Sequence, residues 1–240
     1  MLRYPKLSAA LPIALGLLLS QAQARNADPG TVIAIDILME PDATMVQHAE
    51  AVNARLRSVY PKGFSLDASH HPHISMFQCF VRTEDLDKVY AAAAKVFAGG
   101  NVTGLKLRAF KYYYIPDKSL GLSGIVVEPT PQLIKLQQNL ITAVTPFTVK
   151  SATSAAFVTT PEDPVINPLL IHYVEVFATE HAGEHYLPHV TTGLAPREYL
   201  DKMLAEPFDS FTFSPAGAAV YHLGQYGTAA KMLEDLDSKP

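Results

Sequence analysis

Tryptophan is missing from this chain and cysteine nearly so, Cys79 standing alone. A single cysteine excludes an internal disulfide. Its place in the apolar run Met76-Phe77-Gln78-Cys79-Phe80-Val81 reads as a buried structural thiol rather than a nucleophile or a link between chains. Basic charge is also scarce. The formal net charge is −4, so long duplex nucleic acid gripped by backbone charge is excluded as a partner, while small or terminal phosphate groups stay open. No apolar run reaches a comfortable membrane span. Leu7 to Ser20 falls short of one, follows the basic residues Arg3 and Lys6, and precedes the small-residue pattern Ala22-Gln23-Ala24. The pattern predicts a signal peptide over residues 1–24, removed to leave residues 25–240 exported to the periplasm or the medium. A retained N-terminal anchor helix is the alternative. No cysteine near the cut offers a lipid attachment point, so no stable membrane anchor is expected. What remains is long enough for one large domain or two small lobes.

What the chain does have is a repeated triplet. His73-Ile74-Ser75 and His189-Val190-Thr191 each follow a proline, Pro72 and Pro188. In a strand, residues two apart share a face. Each triplet therefore sets an imidazole beside a hydroxyl and turns Ile74 or Val190 into the core. Each is followed at a similar distance by Leu-Asp-Lys, at 86–88 and at 200–202, and the two histidines lie about half the mature chain apart. The spacing predicts two related lobes about a pseudo-twofold axis, with the motif strands meeting at the cleft between them.

The rest of the chain supplies the scaffold. Thr31–Met39 reads as a strand buried on both faces, followed by a helix from Pro41-Asp42 to about Tyr60. The first motif strand runs from His73 to Val81. A helix from Thr83 to about Phe97, stopping at Gly99-Gly100, comes next. Val102–Tyr114 and Gly121–Val127 read as strands, and Pro131 to Val144 as a helix. Thr145 to Pro168 is loop-like, Leu169 to His181 helical, and Leu187 to Leu194 the second motif strand. A helix to Leu204 and strands at Phe208–Phe213 and Gly217–Leu223 follow. Thr228 to Leu236 is expected to close the chain as a helix. The fold class is α+β: two antiparallel sheets in a bilobal pseudo-twofold arrangement, helices on the outer faces, a cleft between the lobes, all in one domain.

Paired His-x-Ser/Thr motifs about half a chain apart resemble the two-histidine (2H) phosphoesterase superfamily. That group includes RNA 2′,3′-cyclic phosphodiesterases and the bacterial 2′-5′ RNA ligases. The tail Val220-Tyr221-His222-Leu223-Gly224-Gln225-Tyr226-Gly227-Thr228-Ala229 also resembles the closing strand and turn of its members. Carried onto this sequence, the resemblance implies that His73 and His189 are the catalytic pair and that Ser75 and Thr191 contact phosphate, with Ser75 standing where threonine is commoner. It implies hydrolysis of a 2′,3′-cyclic phosphate or related small phosphodiester, RNA ends among the candidates, by a monomer with no cofactor and no metal. The chemistry agrees independently: opening a phosphodiester needs a base for the attacking water and an acid for the leaving oxygen, and histidine titrates near neutrality. Phe77, two residues beyond Ser75, is expected on the same face, either stacking on a base or packing in the core. Tyr226 is a candidate for the cleft rim. Lys106, Arg108, Lys111 and Tyr112 can contact substrate or simply form a solvated strand edge. His70 and His71 are loop residues or substrate contacts.

Two other functions compete. One is a non-catalytic protein of the same fold that holds a nucleotide or other ligand. The other is a metal hydrolase using His181, His185 and His189, which would share a face of one continuous helix. Pro188 breaks such a helix just before His189, and the order His-Ala-Gly-Glu-His is not that of a zinc protease.

Overall fold

The structure is a computed structural model and describes residues 30–237. The expected signal peptide, residues 1–24, lies outside the described residues. The first strand, β1 (Val32–Pro41), is a run of Ile, Val and Leu buried along nearly its whole length. Helix α1 (Ala43–Val59) starts where Asp42 accepts the backbone N–H groups of Thr44 and Met45, satisfying donors that the helix itself leaves free. β2 (Ile74–Arg82) and α2 (Leu86–Gly100) follow, α2 ending on Asn101 in the left-handed region. A hairpin joins β3 (Leu107–Asp117) to β4 (Leu120–Val127). α3 (Pro131–Val144) is capped by Thr130. Then come the short β5 (Thr148–Val149), α4 (Pro168–Glu180) capped by Asn167, β6 (His189–Pro196) and α5 (Arg197–Leu204). The chain closes with β7 (Phe211–Phe213), β8 (Pro215–Leu223) and β9 (Ala229–Asp235).

These strands make two antiparallel sheets, ordered β5-β2-β1-β8-β9 and β6-β4-β3-β7. The α+β, two-sheet expectation holds. The halves share one pattern, β1-α1-β2-α2 in the first and β4-α3-β6-α5 in the second, with β5 and α4 inserted between α3 and β6. In each, the motif strand pairs with the strand that opens its unit, β2 on β1 and β6 on β4. The chain then crosses to the other sheet, β3 joining β4 directly after α2, and β8 joining β1 once β7 has paired with β3. Helices are exchanged as well, α1 lying against β6 and α3 against β2. One main core, running from Ile33, Ile35 and Ile37 through Leu56, Phe97 and Leu140 to Val190, links the two halves.

Three elements depart from the sequence reading. Thr228 to Leu236 is not a helix: Ala229–Asp235 is a strand on the edge of β8. Lys, Met, Leu and Glu are good helix formers, but such preferences are under about 0.7 kcal/mol per residue, and the free backbone edge of β8 offers hydrogen bonds that outweigh them. β3 begins at Leu107, after a short helical turn at Val102–Gly104, and runs through Pro116 to Asp117. Proline fits there because β7 covers only Leu107 to Ala109, which leaves the far end of β3 an edge that needs no N–H on that side. Finally, α4, exposed along one side, reaches the cleft with the other. Leu170, Ile171 and Val174 pack on Ala34 and Phe80 of the first sheet, while Leu169, Leu170 and Tyr173 face a cavity shared with His73 and His189. Among the described residues no helix is long and apolar enough to cross a membrane.

Candidate active site

β2 and β6 bring their motifs to one place. His73, Ser75, His189, Thr191 and Tyr226 line a single cavity of about 160 Å³. The two histidines are held alike. Nδ1 of His73 lies 2.7 Å from the carbonyl oxygen of His71, and Nδ1 of His189 lies 2.8 Å from that of Leu187. A carbonyl only accepts, so each Nδ1 carries the proton and each Nε2 is the nitrogen left for chemistry. In both motifs the acceptor sits two residues upstream, across the proline. The sheet register repeats too. Each motif strand carries one extra residue just after the hydroxyl: Met76 between Ser75↔Leu38 and Phe77↔Ile37, and Thr192 between Thr191↔Gly124 and Gly193↔Ser123.

Those bulges decide what lies beside the histidines. Simple alternation places Phe77 next to Ser75; the extra Met76 inverts it. Gln78 takes that place, and Phe77 turns into the core, 3% exposed, with its ring 6.1 Å from that of Phe177. Phe77 does not join the site. Gln78 pairs across the sheet with Asp36, and the equivalent pair in the other half is Leu194 with Leu122. At one pseudo-symmetric position the first half therefore has an amide and a carboxylate, and the second has two leucines.

This single difference polarises the histidine pair. Asp36 is 0% exposed. Its Oδ2 lies 3.4 Å from His73 Nε2 and accepts from the Ser75 hydroxyl and, at 2.9 Å, from Gln78 Nε2. Burial works against a charged His73, but the Asp36 hydrogen bond and charge, helped by the His71 carbonyl and Glu40, outweigh it and raise its pKa. His189 has no such partner. Burial beside leucines and the edge of Tyr113, 4.8 Å between centroids, acts first; the charge of His73 adds to it, and the pKa is pushed down to about 4. The two imidazoles are thus pushed apart, His73 toward its cationic form and His189 toward its neutral form.

The hydroxyls differ as well. Thr191 lines the cavity from β6. The Ser75 hydroxyl also lines it, but donates to Asp36 and accepts from Gln78 Nε2 at 3.1 Å. Tyr226 is at the rim with its backbone left-handed (φ 65°), followed by the left-handed Gly227 (φ 72°), and its ring stacks 5.6 Å from Phe64. A non-glycine residue held there costs about 1–3 kcal/mol. His70 is clamped between Asp67 and Asp163, both at 3.0 Å, and His71 lies 3.3 Å from Glu40, so both are tied down within the loop and its neighbours. Lys106, Arg108, Lys111 and Tyr112 line neither this cavity nor the one behind it. Cys79 is buried, and burial drives its thiol pKa far up.

Behind Ser75, Tyr173 and His189 lies a second compartment of about 290 Å³, walled chiefly by Tyr113, Phe177, Tyr186 and Leu187. His181, His185 and His189 all reach its wall, one from the end of α4, one from a short turn and one from β6. Yet among the described residues no group of three or more His, Cys, Asp or Glu side chains is placed to hold a metal ion. Asp36, Gln78, Tyr113 and Tyr173 are candidate-site residues that sequence reasoning missed. Asp36 did leave a signal: an acid in the middle of a strand read as buried on both faces needs a partner to be there. No protein-family model matches the chain, and no curated protein matches it.

Proposed function

We propose that the protein is a phosphodiesterase of the two-histidine type, hydrolysing a small phosphodiester, cyclic or linear, without a metal. The observation that carries this reading is the pair His73 and His189, delivered to one cavity by pseudo-symmetric strands and held in one tautomer by matched carbonyls. Their opposed pKa directions set the roles. His189, neutral, takes a proton from water as the water oxygen bonds to phosphorus. His73, cationic, gives its Nε2 proton to the ester oxygen as the P–O bond to that oxygen breaks. The products are a phosphate monoester and an alcohol, joined in one molecule when the diester is cyclic. Thr191 donates to the phosphate oxygens, Tyr226 closes the rim, and Ser75, held by Gln78, reaches the phosphate once substrate displaces its bond to Asp36. Export belongs to the same reading, supported by Arg3, Lys6, the apolar run and Ala22-Gln23-Ala24; the mass of the protein recovered outside the cytoplasm tests cleavage after Ala24.

The experiment is hydrolysis of 2′,3′-cyclic nucleotides and bis(4-nitrophenyl) phosphate in excess chelator. His73→Ala and His189→Ala should each lower kcat/KM by about 10²–10⁴. Activity untouched by either substitution sinks the mechanism, and activity abolished by chelator points to a metal. One observation favours a second reading, a non-catalytic binder: His73, Ser75 and Gln78 all direct donors at Asp36, so those donors are occupied before any substrate arrives. Tight binding of a phosphodiester with no turnover would establish it.

A further inference from the structure

Neither compartment has a lysine or arginine among the described residues that line it. His73 faces the buried carboxylate of Asp36, and Asp117 adds a second acid to the cavity wall. Such a site can accept the single negative charge of one phosphodiester. It offers nothing to the next phosphate of a polynucleotide, which binds through a train of cationic contacts. What surrounds the histidines instead is apolar. Leu122, Leu194 and Leu170 flank the first compartment. The second is walled mainly by Tyr113, Ile115, Tyr173, Phe177, Tyr186 and Leu187, with His181 and His185 at its wall, and its volume is close to the lower end of the roughly 300–1,000 Å³ of ligand pockets.

The mouths of the two compartments carry the same character. Seven large hydrophobic side chains are strongly exposed among the described residues, and three of them line these compartments: Ile115 (43%) and Leu169 (67%) at the first, Leu187 (43%) at the second. Ile115 and Tyr173 border both, so the two spaces adjoin beside the phosphate position. Exposed apolar residues scattered singly are ordinary; gathered at the entrance of an apolar cavity they mark what enters it.

From this we infer that the substrate is a diester with one phosphate, one of whose alcohols is apolar, an alkyl or aryl group that fills the compartment behind His189. This rests on the phosphodiesterase reading and narrows it away from RNA ends. The bond broken and the proton transfers are those already given, with water as the co-reactant.

The test uses the mature chain with methyl, propyl and hexyl 4-nitrophenyl phosphate, and an oligothymidylate ending in the same 4-nitrophenyl diester. One leaving group throughout keeps the chemical step alike. Each methylene that becomes buried is worth about a three- to fourfold gain, so kcat/KM should rise at least about tenfold from methyl to hexyl, with the oligothymidylate no better than methyl. Leu187→Lys, on an exposed side chain, should flatten the series and improve the oligothymidylate. A flat or falling series, or preference for the oligothymidylate, overturns the inference. A second arm separates its failure from that of the parent reading: calorimetric binding of methyl and hexyl methylphosphonate, which are not hydrolysed. Tighter binding of the hexyl compound with no turnover of any ester keeps the apolar compartment and removes the two-histidine hydrolysis. Histidine-dependent turnover with equal binding of both does the reverse.

Discussion

Asp36 is the residue on which the asymmetry of the site turns. It sits where the other half has Leu122, and it raises His73 against the burial that lowers His189 to about 4. For the proposed hydrolysis, kcat/KM should climb through an acid limb near 4, as His189 loses its proton, and decline in an alkaline limb above the ordinary histidine value of about 6.5, as His73 loses its own. Asn fits the space of Asp36 without the charge. In Asp36→Asn the alkaline limb should move to lower pH while the acid limb stays near its place, so activity at pH 8 falls more than activity at pH 5. A pH–rate profile of the two proteins reads this directly, and an unmoved alkaline limb would remove Asp36 from the mechanism. The sign follows from chemistry alone: taking away an anion weakens the hold on a neighbouring proton.

The motif strands are held in register by contacts that come from elsewhere in the chain. On the β6 side the fastening is Asn53 of α1, a buried amide. Its Nδ2 donates to the carbonyls of Thr192, at 2.9 Å, and Phe64, at 3.0 Å, and its Oδ1 accepts from the Leu66 backbone at 3.3 Å. Thr192 is the bulge residue itself, and Gly193 beside it has φ 134°, with a Cβ there coming within 2.9 Å of the Asn53 amide. Removing the amide strands three backbone groups at once. Asn53→Ala should lower the free energy of unfolding in urea by about 1–3 kcal/mol, and at a temperature where it is folded should reduce kcat more than an equally destabilising substitution in α2, because β6 carries His189. Helix α4 plays the other part at this scale. Inserted between α3 and β6, outside the repeated pattern, it lays Leu169, Leu170 and Tyr173 along the cavity and so gives an otherwise symmetric cleft an apolar wall on one side.

For the molecule as a whole, the two histidines pull pH stability in opposite directions. His189 titrates lower in the fold than the ordinary value, so the unfolded chain binds the proton more readily. Its neutral form is at no disadvantage above about 6.5, and stability is lost as pH falls from there toward 4, by an amount on the order of 3 kcal/mol. His73 titrates higher in the fold, so its contribution is full below about 6.5 and is lost as pH rises through its folded value. Thermal unfolding between pH 4 and 7 should therefore show a shallower loss of Tm toward acid in His189→Gln than in the unsubstituted protein; equal slopes would show that His189 is not the group responsible.

The local chain determined a good deal. The two Pro-His-x-hydroxyl triplets, the caps at Asp42 and Thr130 and the apolar stripes of α1 and α3 are properties of neighbouring residues, and short-range periodicity expresses them. From those alone came the two related halves and the histidine pair. What tertiary structure decided was every point where a distant strand had to be present. Phe77 left the site and Gln78 entered it because Met76 bulges against β1, and a bulge exists only between two strands. Ala229–Asp235 became a strand because β8 presents a free edge. Asp36 became the partner of His73 because β1 and β2 pair in one register, and the roles of His73 and His189 parted because the matching register across β4 meets leucine. Periodicity says which face a side chain takes within its own element; only the pairing of elements says what it finds there.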